Sequence, residues 1–536
     1  MEENNPTVLI TTSGTGNRLG NLTKYTNKSL VRIGKKPAIS YIIESYPDNT
    51  NFIITTGYYG DHVKQYLKLA YPSKSFTFCD VNKFEGKGSS LLYSMFCAKN
   101  YLQTPFIFHA CDTILSEKST VVPKDDVNWC VSAYTTHSEH YRTHKLIKGI
   151  HNIVNIDEKG SSENINAHIG ISKIKDYELF WNIAEELLSN FVEDQSLSDC
   201  HVINKMIDYG SIFEPWFVQK ESWLDIGNMS SLNHARESIS DKFHILDKDD
   251  ESIFILNDSV IKFFYNKKIV TNRVERLNHL DSFGPKLFDY TENFYKYEYI
   301  EGIEASYLFN PNDFKNLLDN LNRYWKVIDI NEDFVEKTKK FYFTKTQERA
   351  NQFLISYKIE DEDIIINGVT VPKLSSLLEQ IPVDLITTNK KYYFHGDCVL
   401  DNIIITPENK VKFIDWRQDF CGEINGGDVY YDLGKLSHSL TINHNLIFKN
   451  LFTYKENQIN GIKNIELDIL RKSTHVEFEK IFNKFVLDNG FDIKKINIIK
   501  SLIWINMSPL HHYPFNYFLY YYGLLNLNME VNDKSM

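Results

Sequence analysis

The chain has 536 residues, of which 42% are hydrophobic and 14% aromatic. This is more than one hydrophobic core usually holds, so two or three domains are expected. The formal net charge of −11 argues against nucleic acid as the main partner, because binding a phosphate backbone requires a basic surface. The seven cysteines are scattered and include no Cys-x-x-Cys pair, which favours reduced thiols over a disulfide framework or a zinc site.

The ends of the chain give two further expectations. The first six residues are acidic and polar, unlike a signal peptide. The longest apolar patch, Tyr513 to Leu527, is interrupted by Asn516 and Gly523 and is too short to span a bilayer. We therefore expect a cytoplasmic protein with no membrane insertion and no nucleic-acid partner. An oligomer is compatible with the sequence.

The N-terminal region begins with a strand followed by a glycine loop. Residues 7–12 predict a buried strand, and the loop Ser13-Gly14-Thr15-Gly16-Asn17-Arg18 follows at once. Glycines let a backbone approach a phosphate chain closely, and Arg18 adds a cation, as does Lys28 ten residues later. A predicted helix and a second strand come next, which is the start of a doubly wound α/β fold.

This pattern resembles the nucleotidyltransferases that join a nucleoside triphosphate to a phosphorylated sugar or alcohol. Their Gly-x-Gly-x-Arg loop and following Pro-Lys pair are matched, except that Asn27 stands where the family has proline. The resemblance implies that Gly14, Thr15 and Gly16 bind the nucleotide and that Arg18 and Lys28 act on its phosphates. The dinucleotide-binding fingerprint fits less well, because position 19 is not glycine.

Three later motifs extend the resemblance over about residues 7 to 240. Gly88, Ser89 and Ser90 open a predicted helix whose amides can meet the nucleotide. Asp112 ends a predicted central strand, where open α/β sheets bind ligands, and it reads either as a magnesium ligand or as a turn aspartate. In Trp223-Leu224-Asp225-Ile226-Gly227-Asn228, the resemblance implies that Asp225 completes the metal site with Asp112.

The stretch between residues 136 and 173 is a candidate acceptor site, although its polar residues fit a solvated surface as well. Its candidate side chains are His137, His140, Arg142, His144, Lys145, Asn166 and His168.

The C-terminal region carries a second kind of catalytic pattern. An apolar run leads into His395-Gly396-Asp397, Asn402 follows five residues after Asp397, and a second apolar run ends at Asp415. Phosphoryl transfer from a nucleotide uses a carboxylate at the attacked hydroxyl, with an amide oxygen and a second carboxylate on magnesium. Asp397 is therefore the predicted base, and Asn402 and Asp415 are the predicted metal ligands.

The spacing of these residues resembles the aminoglycoside phosphotransferase and choline kinase family, relatives of the protein kinases. That resemblance implies an α+β bilobal kinase-like fold, a bracing role for His395 and a structural role for Asp432. It also assigns nucleotide binding to Lys262, on a predicted strand, and to Glu275, on the helix that follows. The aromatic C-terminal segment reads either as a cage for a quaternary ammonium group or as core.

Together these patterns predict two domains: an α/β doubly wound, Rossmann-like nucleotidyltransferase domain over residues 1–240 and an α+β bilobal protein-kinase-like domain over residues 241–536. The predicted enzyme phosphorylates a small alcohol with ATP and transfers a nucleotidyl group to the phosphate monoester, with Mg²⁺ at both sites. The resemblance favours CTP as the nucleotidyl donor, with UTP as the alternative. Its product would be a nucleotide-activated precursor for surface polysaccharide, of the choline, ethanolamine or polyol type. The alternatives are an anomeric sugar 1-kinase fused to a sugar-1-phosphate uridylyltransferase, and one degenerate half that acts as a regulatory binding module.

Overall fold

The structure is a computed structural model that describes residues 5–115, 127–135, 137–147, 151–160, 165–239, 248–459 and 462–532. Its contacts divide the chain into two units. The first unit runs to Val270 and includes 288–297, and the second comprises 271–287 and the chain from Glu298 onward. Residues 248–270, which the sequence assigns to the kinase-like domain, thus fall in the first unit. The boundary of independently folding domains at residue 240 stays a prediction.

The first unit is built on a nine-stranded sheet with two small strand pairs beside it. Its strands up to residue 225 are β1 (Thr7–Thr11), β2 (Arg32–Ile33), β3 (Lys36–Pro37), β4 (Asn51–Thr56), β5 (Ser75–Asp80), β6 (Phe106–Ala110), β7 (Thr113–Leu115), β8 (Asn128–Tyr134), β9 (Thr143–Leu146), β10 (Ile153–Asp157), β11 (Asn166–Ile174), β12 (Phe213–Val218) and β13 (Trp223–Asp225). Its helices up to residue 238 are α1 (Ala38–Glu44), α2 (Gly60–Ala70), α3 (Leu91–Phe96), α4 (Tyr177–Asn190), α5 (Asp199–Asp208) and α6 (Met229–Ser238).

The large sheet has the strand order β5-β4-β1-β6-β11-β8-β12-β10-β9. Strand β1 pairs in parallel with β4 and with β6, and β4 pairs in parallel with β5. Strand β11 pairs antiparallel with β6 and with β8. The carboxyl ends of β1 and β6 therefore meet at one edge of the sheet, which brings the loops that follow them together.

Both faces of this sheet are covered by helices. Val8 and Leu9 are fully buried but belong to different apolar clusters, because neighbouring residues of a strand face opposite sides. The cluster around Val8 contains Ile39 of α1 and Val63 of α2, and the cluster around Leu9 contains Phe180 of α4. The prediction of a doubly wound α/β fold for this region is confirmed.

A four-stranded sheet in the order β14-β15-β17-β16 follows along the chain. Its elements are β14 (Glu251–Leu256), β15 (Ser259–Phe264), α7 (Lys267–Leu277), β16 (Leu287–Tyr290) and β17 (Phe294–Glu298). Phe254, Phe263 and Phe294 belong to the same apolar cluster as α1 and α2. This shared core explains why the small sheet groups with the first unit.

The second unit is mainly helical. Its helices after α7 are α8 (Pro311–Tyr324), α9 (Asp333–Lys339), α10 (Lys345–Tyr357), α11 (Leu374–Gln380), α12 (Val383–Ile386), α13 (Val429–Thr441), α14 (His444–Phe448), α15 (Ser473–Asp488), α16 (Ile493–Met507) and α17 (Phe515–Asn532). Its strands are β18 (Ile303–Glu304), β19 (Val327–Ile330), β20 (Ile364–Ile366), β21 (Val369–Val371), β22 (Lys390–Tyr392), β23 (Ile403–Ile405), β24 (Val411–Phe413), β25 (Phe452–Ile459) and β26 (Ile462–Ile469).

The apolar core of the second unit lies around α13, α16 and α17. Trp504, Phe515, Phe518, Tyr520 and Tyr521 are buried in it. These five aromatic residues are therefore core, as one of the two sequence readings has it, and they do not form an exposed cage. Within the described part of the chain, none of the helices has the length and hydropathy that a membrane span requires.

Candidate active sites

The glycine loop of the first unit lies at the carboxyl end of β1. Gly16 has a φ of 70°, in the left-handed region, and a Cβ atom there would lie 3.0 Å from Lys28 Cβ. The loop therefore packs directly against the segment that carries Lys28. Gly14, by contrast, is exposed, and a Cβ there would have no heavy atom within 4 Å. The backbone at Gly14 is open to a ligand.

Asn27 occupies the position where the resembled family has proline. Its φ is −75°, an angle that proline also adopts. The Asn27 side chain donates to the carbonyls of Thr12 (2.7 Å) and Tyr58 (2.6 Å), and its oxygen accepts from the amide of Ser29 (2.9 Å). Side-chain hydrogen bonds thus hold the backbone in a conformation that proline would impose covalently.

Lys28 and Asp112 form an ion pair, with 2.6 Å between Nζ and Oδ2. Burial lowers the pKa of Lys28, but the Asp112 carboxylate outweighs burial and leaves that pKa raised. Burial raises the pKa of Asp112, whereas Lys28 and then Arg18 lower it, so the net shift is downward. Both groups are therefore charged at neutral pH.

Asp225 and Arg18 face the same point as Asp112. A Cβ atom placed on Gly227 would lie 3.0 Å from Asp225 Oδ1, 3.6 Å from Asp112 Oδ2 and 3.7 Å from Arg18 Nη2. Antiparallel pairing of β13 with β7, which puts Asp225 opposite Thr113, brings the two carboxylates together. Two cations and two carboxylates that are distant in sequence thus converge at one edge of the sheet.

The donor set at this point fits a magnesium ion. Asp112 and Asp225 each turn a carboxylate oxygen toward it, and hard oxygen donors are the ligands that Mg²⁺ prefers. The second oxygen of Asp225 accepts a hydrogen bond from Tyr141 Oη at 3.1 Å, which fixes the orientation of the carboxylate. The sequence did not point to Tyr141, because it lies between His140 and Arg142 in the candidate acceptor stretch and reads as an ordinary core aromatic.

The residues that the sequence predicts to contact the nucleotide form hydrogen bonds with their own neighbours in the chain. Ser90 caps α3 by accepting from the amide of Tyr93 (3.0 Å), and Ser89 Oγ donates to the Gly86 carbonyl (2.7 Å). Gly88 has a φ of 79°. Helix α3 has only six residues. The roles of Gly88, Ser89 and Ser90 toward a nucleotide stay predictions.

Two histidines of the candidate acceptor stretch are buried in a hydrogen-bonded chain. His144 Nδ1 lies 2.6 Å from Ser132 Oγ, His144 Nε2 lies 2.9 Å from His168 Nδ1, and His168 Nε2 lies 3.4 Å from Asp199 Oδ2. Burial lowers the pKa of His168, but Cys200 and Asp199 together raise it to about 10. These hydrogen bonds give both histidines a structural role in the interior of the sheet.

In the second unit, the loop that follows β22 is fixed by buried polar groups. His395 is fully buried; its Nε2 donates to the Ile414 carbonyl (2.9 Å) and its Nδ1 accepts from the amide of Asp397 (3.1 Å). Burial lowers the pKa of His395 to about 4, so the ring is neutral. His395 therefore braces the loop.

Asp432 holds the same loop from α13. Its carboxylate accepts from the amides of His395 (2.6 Å) and Gly396 (2.7 Å) and from Trp325 Nε1 (3.0 Å). Asp432 is fully buried, and burial raises its pKa to about 6. These contacts agree with the structural role that the sequence assigns to Asp432.

Asp397 and Asn402 are in direct contact. Asn402 Nδ2 donates to the Asp397 carbonyl at 3.0 Å and lies 3.3 Å from Asp397 Oδ2. The other carboxylate oxygen, Oδ1, lies 2.9 Å from Lys435 Nζ. Burial raises the pKa of Asp397, but Lys435 outweighs burial, and the net shift is downward. The predicted base is thus ionised at neutral pH.

Asp415 follows β24 with a φ of 55°, a conformation rare for residues other than glycine and common at functional sites. Its Oδ1 accepts from Arg273 Nη1 at 2.5 Å. The negative charge of Asp415 partly opposes the downward shift of the Asp397 pKa. Asn402 and Asp415 carry oxygen atoms of the kind that Mg²⁺ prefers, and their role as metal ligands stays a prediction.

The helix residue that contacts Asp415 differs from the one that the sequence singled out. Arg273 is buried, whereas Glu275, two residues further on α7, is exposed. Lys262 is buried in β15 and falls in the first unit, while Glu275 falls in the second. The nucleotide-binding roles of Lys262 and Glu275 stay predictions. The sequence could have pointed to Arg273 through helical spacing, since Arg273 and Arg276 are three residues apart and share one face of α7.

Comparisons with known proteins found structural similarity for the first unit. No family model and no curated protein matches the chain. A CTP:phosphocholine cytidylyltransferase from Streptococcus pneumoniae is 21% identical over 44% of this chain and 99% of its own, with a TM-score of 0.37. A putative glucose-1-phosphate thymidylyltransferase from Bacillus anthracis is 20% identical over 45% of this chain and 98% of its own, with a TM-score of 0.38. An inositol-1-phosphate CTP transferase from T. maritima is 19% identical over 44% and 96%, with a TM-score of 0.36.

Proposed function

We propose that the chain catalyses two consecutive transfers. The second unit phosphorylates a small alcohol with ATP, and the first unit transfers a nucleotidyl group from CTP or UTP to the resulting phosphate monoester. The observation that carries the proposal is the convergence of Arg18, Lys28, Asp112 and Asp225 at the edge where the glycine loop lies. Such an edge is where open α/β sheets bind their ligands.

In the nucleotidyl transfer, an oxygen of the phosphate monoester attacks the α-phosphorus of the nucleoside triphosphate. The bond from the α-phosphorus to the α–β bridging oxygen breaks, and pyrophosphate leaves. Arg18 and Lys28 offset the charge of the triphosphate, and Gly14 allows its close approach to the backbone. Asp112 and Asp225 would hold Mg²⁺, which when bound stabilises charge on the transferring group. Tyr141 orients Asp225 throughout.

In the phosphoryl transfer, the alcohol oxygen attacks the γ-phosphorus of ATP, the bond to the β–γ bridging oxygen breaks, and ADP leaves. The hydroxyl proton passes to the Asp397 carboxylate, whose lowered pKa keeps it ionised until then. Asn402 and Asp415 would hold Mg²⁺ on the phosphates. His395 and Asp432 act only by holding the loop in place.

The proposal is tested with the intact protein by two assays: ADP release from ATP, and pyrophosphate release from a nucleoside triphosphate with a phosphate monoester. The panel combines CTP, UTP, GTP and ATP with phosphocholine, phosphoethanolamine, glycerol phosphates and hexose 1-phosphates. We expect pyrophosphate release with CTP or UTP. Turnover with a hexose 1-phosphate and UTP would favour the alternative of a sugar 1-kinase fused to a sugar-1-phosphate uridylyltransferase. No pyrophosphate release with any pair would refute the proposal for the first unit.

A further inference from the structure

One cation, Lys435, contacts Asp397, and two further cations lie near Lys435. Lys435 contacts Asp397 Oδ1, whereas Asn402 contacts Oδ2. Arg417 and Lys345 lie over the same two aromatic rings. Lys345 Nζ is 4.0 Å from the Phe341 ring centroid and 5.9 Å from that of Tyr431; the corresponding distances from Arg417 Cζ are 5.3 and 6.0 Å. We refer to Lys345, Arg417 and Lys435 as the cationic cluster.

The helix that carries Lys345 is irregular at this point. A π-helical turn, Lys340–Thr344, separates α9 from α10, and Lys345 is the first residue of α10. Such turns occur often at functional sites, because the extra residue changes where the following side chains point. Phe341, which lies under both Lys345 and Arg417, belongs to this turn. The irregularity and the cluster thus coincide.

The cluster holds three basic side chains, of which one, Lys435, is paired with a carboxylate, that of Asp397. In the described part of the chain, neither Lys345 nor Arg417 forms an ion pair with a carboxylate. Burial lowers the pKa of Lys345 well below its usual value, and Arg417, Lys435 and Arg349 lower it further, while Asp419 opposes them. Asp397 and Asp419 are the carboxylates that act on these cations. A partly buried group of like charges is costly unless an anion joins it.

We propose that the alcohol phosphorylated by the second unit carries a negatively charged group, a carboxylate or a phosphate, and that Lys345 and Arg417 bind this group while Asp397 receives the hydroxyl proton. The inference rests on the proposed kinase function of the second unit and narrows its substrate class. It replaces the quaternary ammonium and primary amine acceptors expected from the sequence, because like charges on the acceptor and the cluster repel each other.

The two oxygens of Asp397 explain why the acceptor, and not the nucleotide, is expected at the cluster. The Oδ2 side faces Asn402, a predicted ligand of the metal that accompanies ATP. The Oδ1 side faces Lys435. A base that takes a proton from the acceptor lies between the nucleotide and the acceptor. We therefore assign the acceptor to the side of Asp397 that Lys435 contacts, because the Asn402 side is assigned to the metal and the nucleotide.

The test uses calorimetric titration of the intact protein, saturated with magnesium and a non-hydrolysable ATP analogue. The probes are glycerate, which carries a carboxylate, and glycerol 3-phosphate, which carries a phosphate, compared with neutral glycerol and cationic choline. We expect at least one anionic probe to bind ~10-fold or more tightly than glycerol and choline, a difference that corresponds to about 1.4 kcal/mol. The better of the two probes identifies the charged group.

Variants locate the binding. Lys345→Gln and Arg417→Gln should each weaken the anionic probe by ~10-fold or more, since a charge-assisted hydrogen bond is lost. Lys345→Arg should retain binding. Lys340→Gln, which changes an exposed lysine of the same helical segment, should bind as the wild type does. Thermal unfolding of each variant excludes misfolding as the cause.

The inference is overturned if choline or glycerol binds as tightly as both anions, if no anion binds, or if binding survives both glutamine substitutions. A rise in KM for ATP in these variants, without loss of anion binding, would assign the cluster to the nucleotide and would also overturn it. Failure of the kinase proposal looks different: an anionic alcohol would bind and depend on Lys345, yet wild-type protein would release no ADP with it.

Discussion

At the scale of single residues, the proposed chemistry can be tested at one carboxylate in each unit. Asp397 is held between Asn402 and Lys435, and its lowered pKa makes it a base that is ionised at neutral pH. Asp112 is held by Lys28 and faces Asp225. Substitution of Asp397 should lower ADP release alone, and substitution of Asp112 should lower pyrophosphate release alone.

Asp397→Asn should lower acceptor-dependent ADP release by ~100-fold or more, because the hydroxyl proton loses its acceptor. Pyrophosphate release by the first unit should stay unchanged in this variant. Asp384→Asn, at an exposed position of the second unit, is the matched control and should leave both activities intact. If Asp397→Asn releases ADP at the wild-type rate, Asp397 is not the base.

Asp112→Asn should lower pyrophosphate release by about 100-fold, since the site loses both a metal ligand and the partner of Lys28. Raising the Mg²⁺ concentration should partly restore the rate, because the remaining ligand Asp225 still binds the ion, only more weakly. ADP release by the second unit should be unaffected. A wild-type rate at low Mg²⁺ would contradict the metal assignment.

At the scale of elements, the C-terminal part of α7 is bound tightly to the loop that carries Asp397. Arg276 is almost fully buried; its Nη2 donates to the Phe394 carbonyl at 2.5 Å and its Nη1 to the Ile424 carbonyl at 2.9 Å. The guanidinium also lies 4.3 Å from the centroid of the Phe394 ring. Arg273, one turn earlier, contacts Asp415. This part of α7 therefore positions both ends of the predicted catalytic segment.

Arg276→Ala should destabilise the protein by about 3 kcal/mol, because the Ile424 carbonyl loses its donor, the Phe394 carbonyl keeps only Tyr324 Oη, and a cavity forms. Acceptor-dependent ADP release should fall as well. Arg323→Ala, at an exposed position on α8, should change neither property. The urea midpoint and the ADP assay measure the two effects. A wild-type urea midpoint for Arg276→Ala would contradict the positioning role of α7.

The glycine loop offers a test of a different kind. Gly14→Ala should leave thermal stability unchanged, because an added Cβ meets no heavy atom within 4 Å. It should nevertheless raise KM for the nucleoside triphosphate several-fold, since the methyl group stands where a phosphate chain would approach the backbone. An unchanged KM would mean that Gly14 does not face the nucleotide.

At the scale of the whole molecule, several buried histidines make folding sensitive to acid. Burial lowers the pKa of His62, His109 and His395 to about 4 in each case. Their unfolded pKa is about 6.5, so the unfolded chain binds protons more readily between pH 6.5 and about 4. The stability that these neutral histidines contribute is present above pH 6.5 and is lost as the pH falls toward 4.

His109 provides a single-site measurement of this effect. Its Nε2 lies 3.0 Å from the Thr113 carbonyl, and its Nδ1 lies 2.9 Å from Tyr46 Oη, so the neutral ring satisfies both partners. The stability difference between wild type and His109→Gln should shrink by about 2 kcal/mol between pH 7.5 and pH 5, because only the wild-type side chain titrates. Urea unfolding at both pH values measures it, and a constant difference would contradict the burial of a neutral His109.

The sequence predicted the fold of the first unit, because glycine loops and strand-end carboxylates depend on local spacing. The residues that it singled out there, Arg18, Lys28, Asp112 and Asp225, lie together, and their roles stay predictions. It did not predict Tyr141, Arg273 or Lys435, whose importance comes from contacts between segments far apart in the chain. It also grouped residues 248–270 with the second half, since strand patterns do not reveal which core they join. The sequence likewise did not reveal the basic residues near Asp397, because Lys345 on α10, Lys435 on α13 and Arg417 are brought together only by the fold.

The proposal that one chain performs two consecutive steps is tested most directly by following one alcohol through both variants. With the alcohol, ATP, CTP or UTP, and Mg²⁺, wild-type protein should form the nucleotide-linked product, measured by chromatography. Asp112→Asn should instead accumulate the phosphorylated alcohol, and Asp397→Asn should form product only when the phosphorylated alcohol is supplied. Product formation from the alcohol by either variant alone at the wild-type rate would contradict the two-step assignment.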